Sequence, residues 1–135
     1  MREEAFLEKP TAVVFDDDDL FRDLFARIFR GLDIQVDTYR HFAEYICSGP
    51  EIDACPVDGP CCDFLLTDKS MPDMTGLEFL KRTRRLGCKI PAERKAIISG
   101  HWSEEERAEA SRLVEYVFPK NEAKKKICDW VKSIA

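Results

Sequence analysis

The chain has 135 residues, of which 44% are hydrophobic and 35% charged, and its formal net charge is −5. This length suits one domain with a single core, and the composition is that of a globular protein rather than a disordered segment. No apolar run approaches the roughly 20 residues that a membrane-spanning helix needs, and no signal-peptide core follows Met1. We therefore expect a cytoplasmic protein with no membrane partner. The absence of a basic stripe with interleaved aromatics argues against direct nucleic-acid binding.

The first third of the chain alternates between predicted strands and predicted helices. Residues 11–15 are an apolar, β-branched run that ends at four aspartates, which indicates a buried parallel strand followed by an acidic loop. Apolar residues then recur at helical spacing over residues 20–29, and Gly31 is a suitable stop. Weak alternation predicts a second strand over 34–39, and a short helix is expected over about 41–48.

The same alternation continues to the end of the chain. Further strands are predicted over 64–67, 95–99 and 114–118, and further helices over about 76–86, from Ser103 onward and up to Ile134. Five strands alternating with five helices indicate an α/β fold, a doubly wound parallel sheet with helices on both faces. We interpret residues 1–10 as an N-terminal extension that precedes one domain over residues 11–135.

Polar side chains follow the carboxyl ends of four predicted strands, which is where ligands bind in doubly wound sheets. They are Asp16 and Asp17, Asp68, Ser99 and Lys120. Taken singly, each has an ordinary explanation as a helix cap, a turn residue or an exposed lysine. Carboxylates that converge, however, repel one another unless a cation lies between them, and oxygen ligands suit Mg²⁺. A carboxylate can also accept a phosphoryl group when a metal and a lysine neutralise the charge and a hydroxyl donates a hydrogen bond.

Four motifs in this pattern resemble the receiver domains of two-component response regulators. They are Val-Val-Phe-Asp-Asp-Asp (13–18), Leu-Leu-Thr-Asp-Lys-Ser-Met-Pro-Asp-Met-Thr-Gly (65–76), Ile-Ile-Ser-Gly (97–100) and Phe-Pro-Lys (118–120). The second motif is the most specific. The resemblance covers residues 11–134 apart from 49–62, and it implies a flavodoxin-like receiver fold.

The resemblance also implies an acceptor and a metal site. Asp68 would be the phosphoacceptor, phosphorylated by a sensor histidine kinase or a phosphotransfer protein with Mg²⁺ as cofactor. Asp17 would bind the metal directly, Asp16 through water, and the backbone carbonyl of Ser70 would supply a further ligand.

The remaining implied residues belong to the response that follows phosphorylation. Ser99 matches the switch hydroxyl, Gly100 the small residue that leaves room for the phosphoryl group, and Lys120 the lysine that pairs with its oxygens. The aromatic switch residue is ambiguous, because Tyr116 and Phe118 flank the expected position, and we favour Tyr116.

Two features near these residues leave alternatives open. The family usually has a cis-bonded proline after the lysine, whereas Asn121 follows Lys120 here, so the isomer of this bond and the position of the lysine are undetermined. His101 lies two residues beyond Ser99, where it either tunes dephosphorylation of the acceptor or is an ordinary exposed loop residue.

The function implied is a phosphorylation switch rather than an enzyme. No DNA-binding module follows the last helix, so we expect output through protein contacts of the fourth helix, fifth strand and fifth helix, and homodimerisation is left open. Two alternatives remain: a degenerate receiver-like interaction module that is not phosphorylated, and a Mg²⁺-dependent aspartyl phosphatase. The phosphatase would need a second aspartate two residues after Asp68, where Ser70 stands.

Residues 49–62 contain three prolines, two glycines and three cysteines, so we interpret them as an irregular insertion. The chain has six cysteines, which we expect to be mostly reduced because nothing indicates a small secreted domain. Cys55, Cys61 and Cys62 lack a clean zinc-binding spacing, and His41 is distant in sequence. A structural loop is favoured over a thiol redox site or a metal site.

Overall fold

The computed structural model describes residues 9–45, 49 and 51–134. The strands are β1 (Thr11–Phe15), β2 (Gln35–Tyr39), β3 (Phe64–Asp68), β4 (Lys95–Ser99) and β5 (Tyr116–Pro119). The α-helices are α1 (Asp19–Gly31), α2 (Gly76–Arg85), α3 (Glu104–Ser111) and α4 (Ala123–Ile134). All strand pairs are parallel and the sheet order is β2-β1-β3-β4-β5, so the predicted doubly wound α/β fold is confirmed. Within the described ranges, no helix is both long enough and apolar enough to cross a bilayer.

The helix predicted over 41–48 is not an α-helix where it is described. Residues Phe42–Glu44 form one turn of 3₁₀ helix, Tyr45 is extended, and residues 46–48 lie outside the described ranges. Phe42 and Tyr45 are both buried, and both rings contact Phe15 of β1. Packing against Phe15 thus accompanies a short turn instead of a helix, and the described part of the chain has four α-helices, not five.

The start of β5 also differs from its prediction. The strand begins at Tyr116 rather than at residue 114, because the N–H groups of Leu113 and Val114 both donate to the carbonyl of Ala110 and so belong to the end of α3. The N-terminal extension predicted for residues 1–10 stays a prediction, since residues 1–8 are outside the described ranges.

Local capping fixes the start of three helices directly after the loops that leave the sheet. The Asp18 carboxylate accepts hydrogen bonds from the first turn of α1. Thr75 and Glu78 form a capping box at α2, and Ser103 and Glu106 form the predicted one at α3. Because each cap satisfies N–H groups that the helix cannot, the connecting loops are held at both ends.

Apolar side chains pack on both faces of the sheet. One cluster lies between the sheet and helices α1 and α4 and includes Phe29 and Trp130. The other lies between the sheet and helices α2 and α3, where the rings of Phe42 and Phe79 stack 4.0 Å apart. Burial on two faces explains why β3 and β4 are buried at every residue.

Gly76 lies where α2 passes closest to the end of β3. Its N–H donates to the carbonyl of Lys69 at 2.7 Å. A Cβ atom added to Gly76 would lie 2.3 Å from the backbone oxygen of Asp68, a distance that no side chain tolerates. The loop between Asp68 and α2 can therefore close this tightly only with glycine at position 76.

We predict that Gly76→Ala lowers the free energy of unfolding by about 1–3 kcal/mol, because the neighbouring atom is backbone and cannot rotate away. Urea denaturation measures the change. Gly31→Ala is the matched control, since a Cβ there meets nothing within 4 Å, and its effect should stay within about 0.5 kcal/mol or be stabilising. Equal stability of Gly76→Ala and the wild type would contradict the proposed close approach.

Candidate functional site

Three aspartates meet at the carboxyl ends of β1 and β3. The two strands are hydrogen-bonded neighbours, so Asp16, which follows β1, lies beside Asp68, which ends β3. Carboxylate oxygens of Asp16, Asp17 and Asp68 all lie within 4.8 Å of one another. Asp16 is 0% exposed and Asp68 is 6% exposed, whereas Asp17 is open to solvent. We call these three residues the acidic trio.

The trio has unsatisfied capacity to bind a cation. Oδ1 of Asp16 accepts the N–H of Asp18 at 2.9 Å, but its buried Oδ2 accepts no hydrogen bond. Burial, and secondarily the charge of Asp68, raises the pKa of Asp16 to about 6. Burial also raises the pKa of Asp68, against the opposing effect of Lys120. Oxygen ligands of this kind, among them a buried oxygen that accepts no hydrogen bond, fit Mg²⁺.

Lys120 provides a positive charge on the other side of the trio. Its Nζ lies 3.3 Å from Oδ2 of Asp16 and 3.3 Å from Oδ2 of Asp68, and 4.2 Å from the ring centre of Phe21. The described residues contain no cis peptide bond, so the Lys120–Asn121 bond is trans. The lysine therefore reaches both carboxylates without the cis-proline junction that is usual in the family.

Ser99, Gly100 and His101 lie on the side of the site that is formed by the end of β4 and the loop after it. The Ser99 hydroxyl donates to the carbonyl of His101 at 3.0 Å and accepts the His101 N–H at 3.1 Å. The position of Gly100 is open, since a Cβ there would meet nothing within 4 Å. The imidazole of His101 is exposed. Ser99, Gly100 and Lys120 thus lie around one groove beside the trio.

Comparison with known proteins identifies this arrangement at the level of fold. No protein-family model and no curated protein sequence matches the chain. Among solved structures, a CheY-like response regulator receiver domain from Methylobacillus flagellatus has 17% identity and a TM-score of 0.71, covering 95% of this chain and 100% of that one. The one from Methanospirillum hungatei JF-1 has 19% identity and a TM-score of 0.73, covering 93% of each chain. The chemotaxis protein CheY4 of Vibrio cholerae has 16% identity and a TM-score of 0.68, covering 95% of this chain and 100% of that one.

The chain has the response regulator receiver fold. The resemblance noted in the sequence and the flavodoxin-like architecture expected from it are confirmed. Because the identities are below 20%, the roles of individual residues rest on the geometry of this receiver fold rather than on the comparisons.

Lys69 contributes to the receiver site in a way that the sequence did not reveal. It follows Asp68 directly, is 9% exposed, and its Nζ donates to the carbonyl of His101 at 2.5 Å and to Glu106 at 2.8 Å. Hydrogen bonds from Lys69 and from the N–H of Ser103 lower the pKa of Glu106 to about 2. The contact joins the loop after β3 to the first turn of α3, and since its partners are 37 residues apart no local pattern predicts it.

The two aromatic residues proposed as the switch face away from Ser99. Tyr116 and Phe118 pack against Trp130 on the side of α1 and α4, with ring centres 5.7 and 5.8 Å from it. Val117, between them, packs on the other side of the sheet together with Trp102. Successive side chains of a strand point to opposite faces of the sheet. This alternation alone predicts that Tyr116 and Phe118 lie on one face and Val117 on the other.

Trp102 is the aromatic ring next to the Ser99 loop. Its indole Nε1 donates to the carbonyl of Phe118 at 2.9 Å, and the ammonium of Lys69 lies 5.2 Å from its ring centre. The ring is half-buried. Trp102 therefore joins the loop that precedes α3 to β5 and to the loop after β3, and no pattern in the sequence predicted these contacts.

Two other predicted features have mixed outcomes. The N–H of Ser70 donates to Oδ1 of Asp68 at 3.4 Å, while its carbonyl as a metal ligand stays a prediction.

In the part of the chain that the structure describes, only the acidic trio places three metal-ligating side chains together, so His41 and the cysteines of the insertion do not form a zinc site there. All five described cysteines are free thiols, and Cys47 lies outside the described residues.

We predict that Asp16→Asn stabilises the protein at neutral pH when divalent cations are removed by a chelator. A raised pKa means that the folded state holds a proton which the unfolded state has lost, so ionisation of Asp16 costs stability as pH rises from about 4 to about 6. The variant should unfold with a free energy about 1–3 kcal/mol higher than wild type at pH 7, and the difference should vanish near pH 4.

Urea denaturation of both proteins across this pH range checks the prediction, and the difference between them cancels other titrating groups. Asp23→Asn, at an exposed site paired with Arg27, serves as the control and should not reproduce the stabilisation at pH 7. A variant less stable than wild type at pH 7 would show that the Asp16 carboxylate is adequately compensated without a cation.

Proposed function

We propose that this chain is a phosphoacceptor signalling domain in which Asp68 receives a phosphoryl group from a histidine kinase or a phosphotransfer protein, with Mg²⁺ as cofactor. The observation that carries the proposal is the position of the Lys120 ammonium, 3.3 Å from Oδ2 of Asp68 and beside the acidic trio. A buried carboxylate flanked on one side by a lysine and on the other by further carboxylates is arranged for charge-neutralised phosphoryl transfer.

Each residue of the site has a definite part in this transfer. A carboxylate oxygen of Asp68 attacks the phosphorus, and the bond from phosphorus to the donor nitrogen breaks. The acidic trio and the carbonyl of Ser70 would hold Mg²⁺, which would supply charge neutralisation for the transfer. Lys120 pairs with the oxygens on the opposite side, and the open position at Gly100 gives them room.

The response begins at Ser99. Its hydroxyl bonds only within its own loop, to His101, and can exchange that bond for one to a phosphoryl oxygen. The carbonyl that it would leave is also held by Lys69, which is bonded to Glu106 of α3. This exchange would bias the face formed by α3, β5 and α4, where a downstream protein would bind.

Trp102 is better placed than Tyr116 or Phe118 to move with Ser99. It bonds to the backbone of β5 and lines the same groove as Ser99, whereas the other two rings pack beneath the opposite face.

The exposed imidazole of His101 would act on the water that hydrolyses the phosphoaspartate. We further propose a cytoplasmic protein whose only catalysis is its own phosphorylation and dephosphorylation.

Acetyl phosphate with Mg²⁺ should phosphorylate the wild-type protein once, and Asp68→Asn should remove the product, as measured by intact-protein mass spectrometry. Asp73→Asn is the matched control, because Asp73 is exposed in the same loop and its carboxylate bonds only to the N–H of Ala43. It should retain full phosphorylation. Lys120→Gln should slow the reaction by at least about tenfold, since one compensating charge is lost.

No phosphorylation of the wild type by this donor or a histidine kinase would favour an interaction module that is not phosphorylated. Product retained in Asp68→Asn would move the acceptor elsewhere. Decay of the product tests His101 in the same assay, because an unchanged lifetime in His101→Ala would remove its proposed role.

Beryllofluoride with Mg²⁺ should change the tryptophan fluorescence of the wild type through Trp102, since the other tryptophan, Trp130, is 1% exposed and distant from Ser99 in the opposite core. Trp102→Phe should lose most of the change, and Asp68→Asn should not respond. A full response in Trp102→Phe would assign the conformational change to the core around Trp130 instead.

A further inference from the structure

The insertion packs against the end of the sheet where the strands begin, opposite the acidic trio. Residues 51–63 form no helix or strand, yet the segment is attached at several points. The N–H of Cys55 donates to the carbonyl of Leu86 at 2.7 Å, and Lys89 Nζ donates to the carbonyl of Val57 at 2.8 Å. The segment therefore covers the loop that connects α2 to β4.

Four free cysteines lie in the insertion and in the loop that it covers. Cys55, Cys61 and Cys88 line a small apolar cavity of about 20 Å³, which has room for about one water-sized molecule. Cys62, the residue after Cys61 along the chain, is buried. We call these four residues the thiol cluster. It brings together cysteines from the insertion and from the loop before β4.

Cys61 has the surroundings of a reactive thiolate. Its Sγ lies 2.7 Å from the hydroxyl of Tyr45, and the thiol of Cys62 and the buried charge of Lys95 also favour its ionised form. Together they lower the pKa of Cys61 to about 6, although Tyr39 also lies nearby and burial opposes the shift. The residue is half-buried, so a small reagent can reach it.

Cys61 and Cys62 differ in their tendency to ionise. The neighbouring Cys61, and secondarily burial, raise the pKa of Cys62, so Cys62 stays a thiol while Cys61 ionises. A thiolate with two further cysteines, Cys55 and Cys88, around the same cavity is an arrangement in which an oxidised sulfur can be met by a second thiol.

We propose that Cys61 is a redox site, oxidised by a hydroperoxide and then joined by a disulfide to another cysteine of the thiol cluster. This site is separate from the phosphoacceptor and does not depend on it.

The chemistry balances with the peroxide as oxidant. The Cys61 thiolate attacks the terminal oxygen of the hydroperoxide, the O–O bond breaks, and the departing alkoxide or hydroxide takes a proton to leave as alcohol or water. Cys61 is then a sulfenic acid, oxidised by two electrons. The thiol of Cys55, Cys62 or Cys88 attacks its sulfur, the S–OH bond breaks, and the hydroxyl leaves as water with the proton of that thiol.

The test uses the native full chain with hydrogen peroxide near neutral pH, with dimedone to trap sulfenic acid and peptide mass spectrometry as the readout. Cys61 should be trapped at least about tenfold faster than Cys128, which is also half-buried but lies on α4 outside the cluster. Without dimedone, a disulfide from Cys61 to Cys55, Cys62 or Cys88 should form. Cys61→Ser should abolish both products and Cys128→Ser should retain them.

Two comparisons show whether the folded arrangement is responsible. Unfolding in urea should remove the preference for Cys61 over Cys128. Tyr45→Phe should slow trapping by about threefold, because the hydroxyl that stabilises the thiolate is lost, while Tyr39→Phe, in the same aromatic cluster, should not. Equal trapping of Cys61 and Cys128 in the native protein, or a preference that persists in urea, would overturn the proposal.

Discussion

The burial of two carboxylates at the ends of adjacent parallel strands is the constraint on which the rest of this structure depends. Burial is the main reason why the pKa of each carboxyl is raised, and a neighbouring carboxylate adds to it, Asp68 for Asp16 and Asp17 for Asp68. A fold optimised only for stability would not place two acids there. Lys120 offsets part of the cost, but Oδ2 of Asp16 accepts no hydrogen bond. The acidic trio therefore keeps a set of oxygen ligands that fits a divalent cation.

Close packing, helix caps and hydrogen bonds fix the loops around the two buried carboxylates. Gly76 lets α2 approach the backbone of Asp68, and the caps at Asp18 and Thr75 fix where α1 and α2 begin. Lys69 then connects the loop after β3 to α3 through Glu106. A change in the charge of Asp68, as in the proposed function, would thus act next to a residue that is already bonded to α3. The contacts that make the site rigid are also those that would carry the proposed response.

The sequence predicted the elements whose evidence is local and missed those set by tertiary contacts. Strand runs ending in Asp16, Asp68 and Ser99 were visible because apolar periodicity and strand ends lie within a few residues of each other. The short segment at Phe42 was misassigned, because its conformation depends on packing against Phe15. The orientation of Tyr116 required only the period of two along a strand. The bond from Lys69 to Glu106 has no counterpart in any local pattern.

The carboxylates and the thiols lie near opposite ends of the same parallel strands. At the carboxyl ends, burial and, secondarily, neighbouring carboxylates raise the pKa values of Asp16 and Asp68, and their oxygens fit a divalent cation. Near the amino ends, the thiol cluster lies in an apolar setting where a hydroxyl, a thiol and Lys95 stabilise a single thiolate. Tyr45 contacts both regions, since its hydroxyl is 2.7 Å from Cys61 and its ring packs on Phe15, directly before Asp16. Oxidation of Cys61 would remove the anionic partner of that hydroxyl, so the aromatic layer beneath the acidic trio is the physical route by which one site could influence the other.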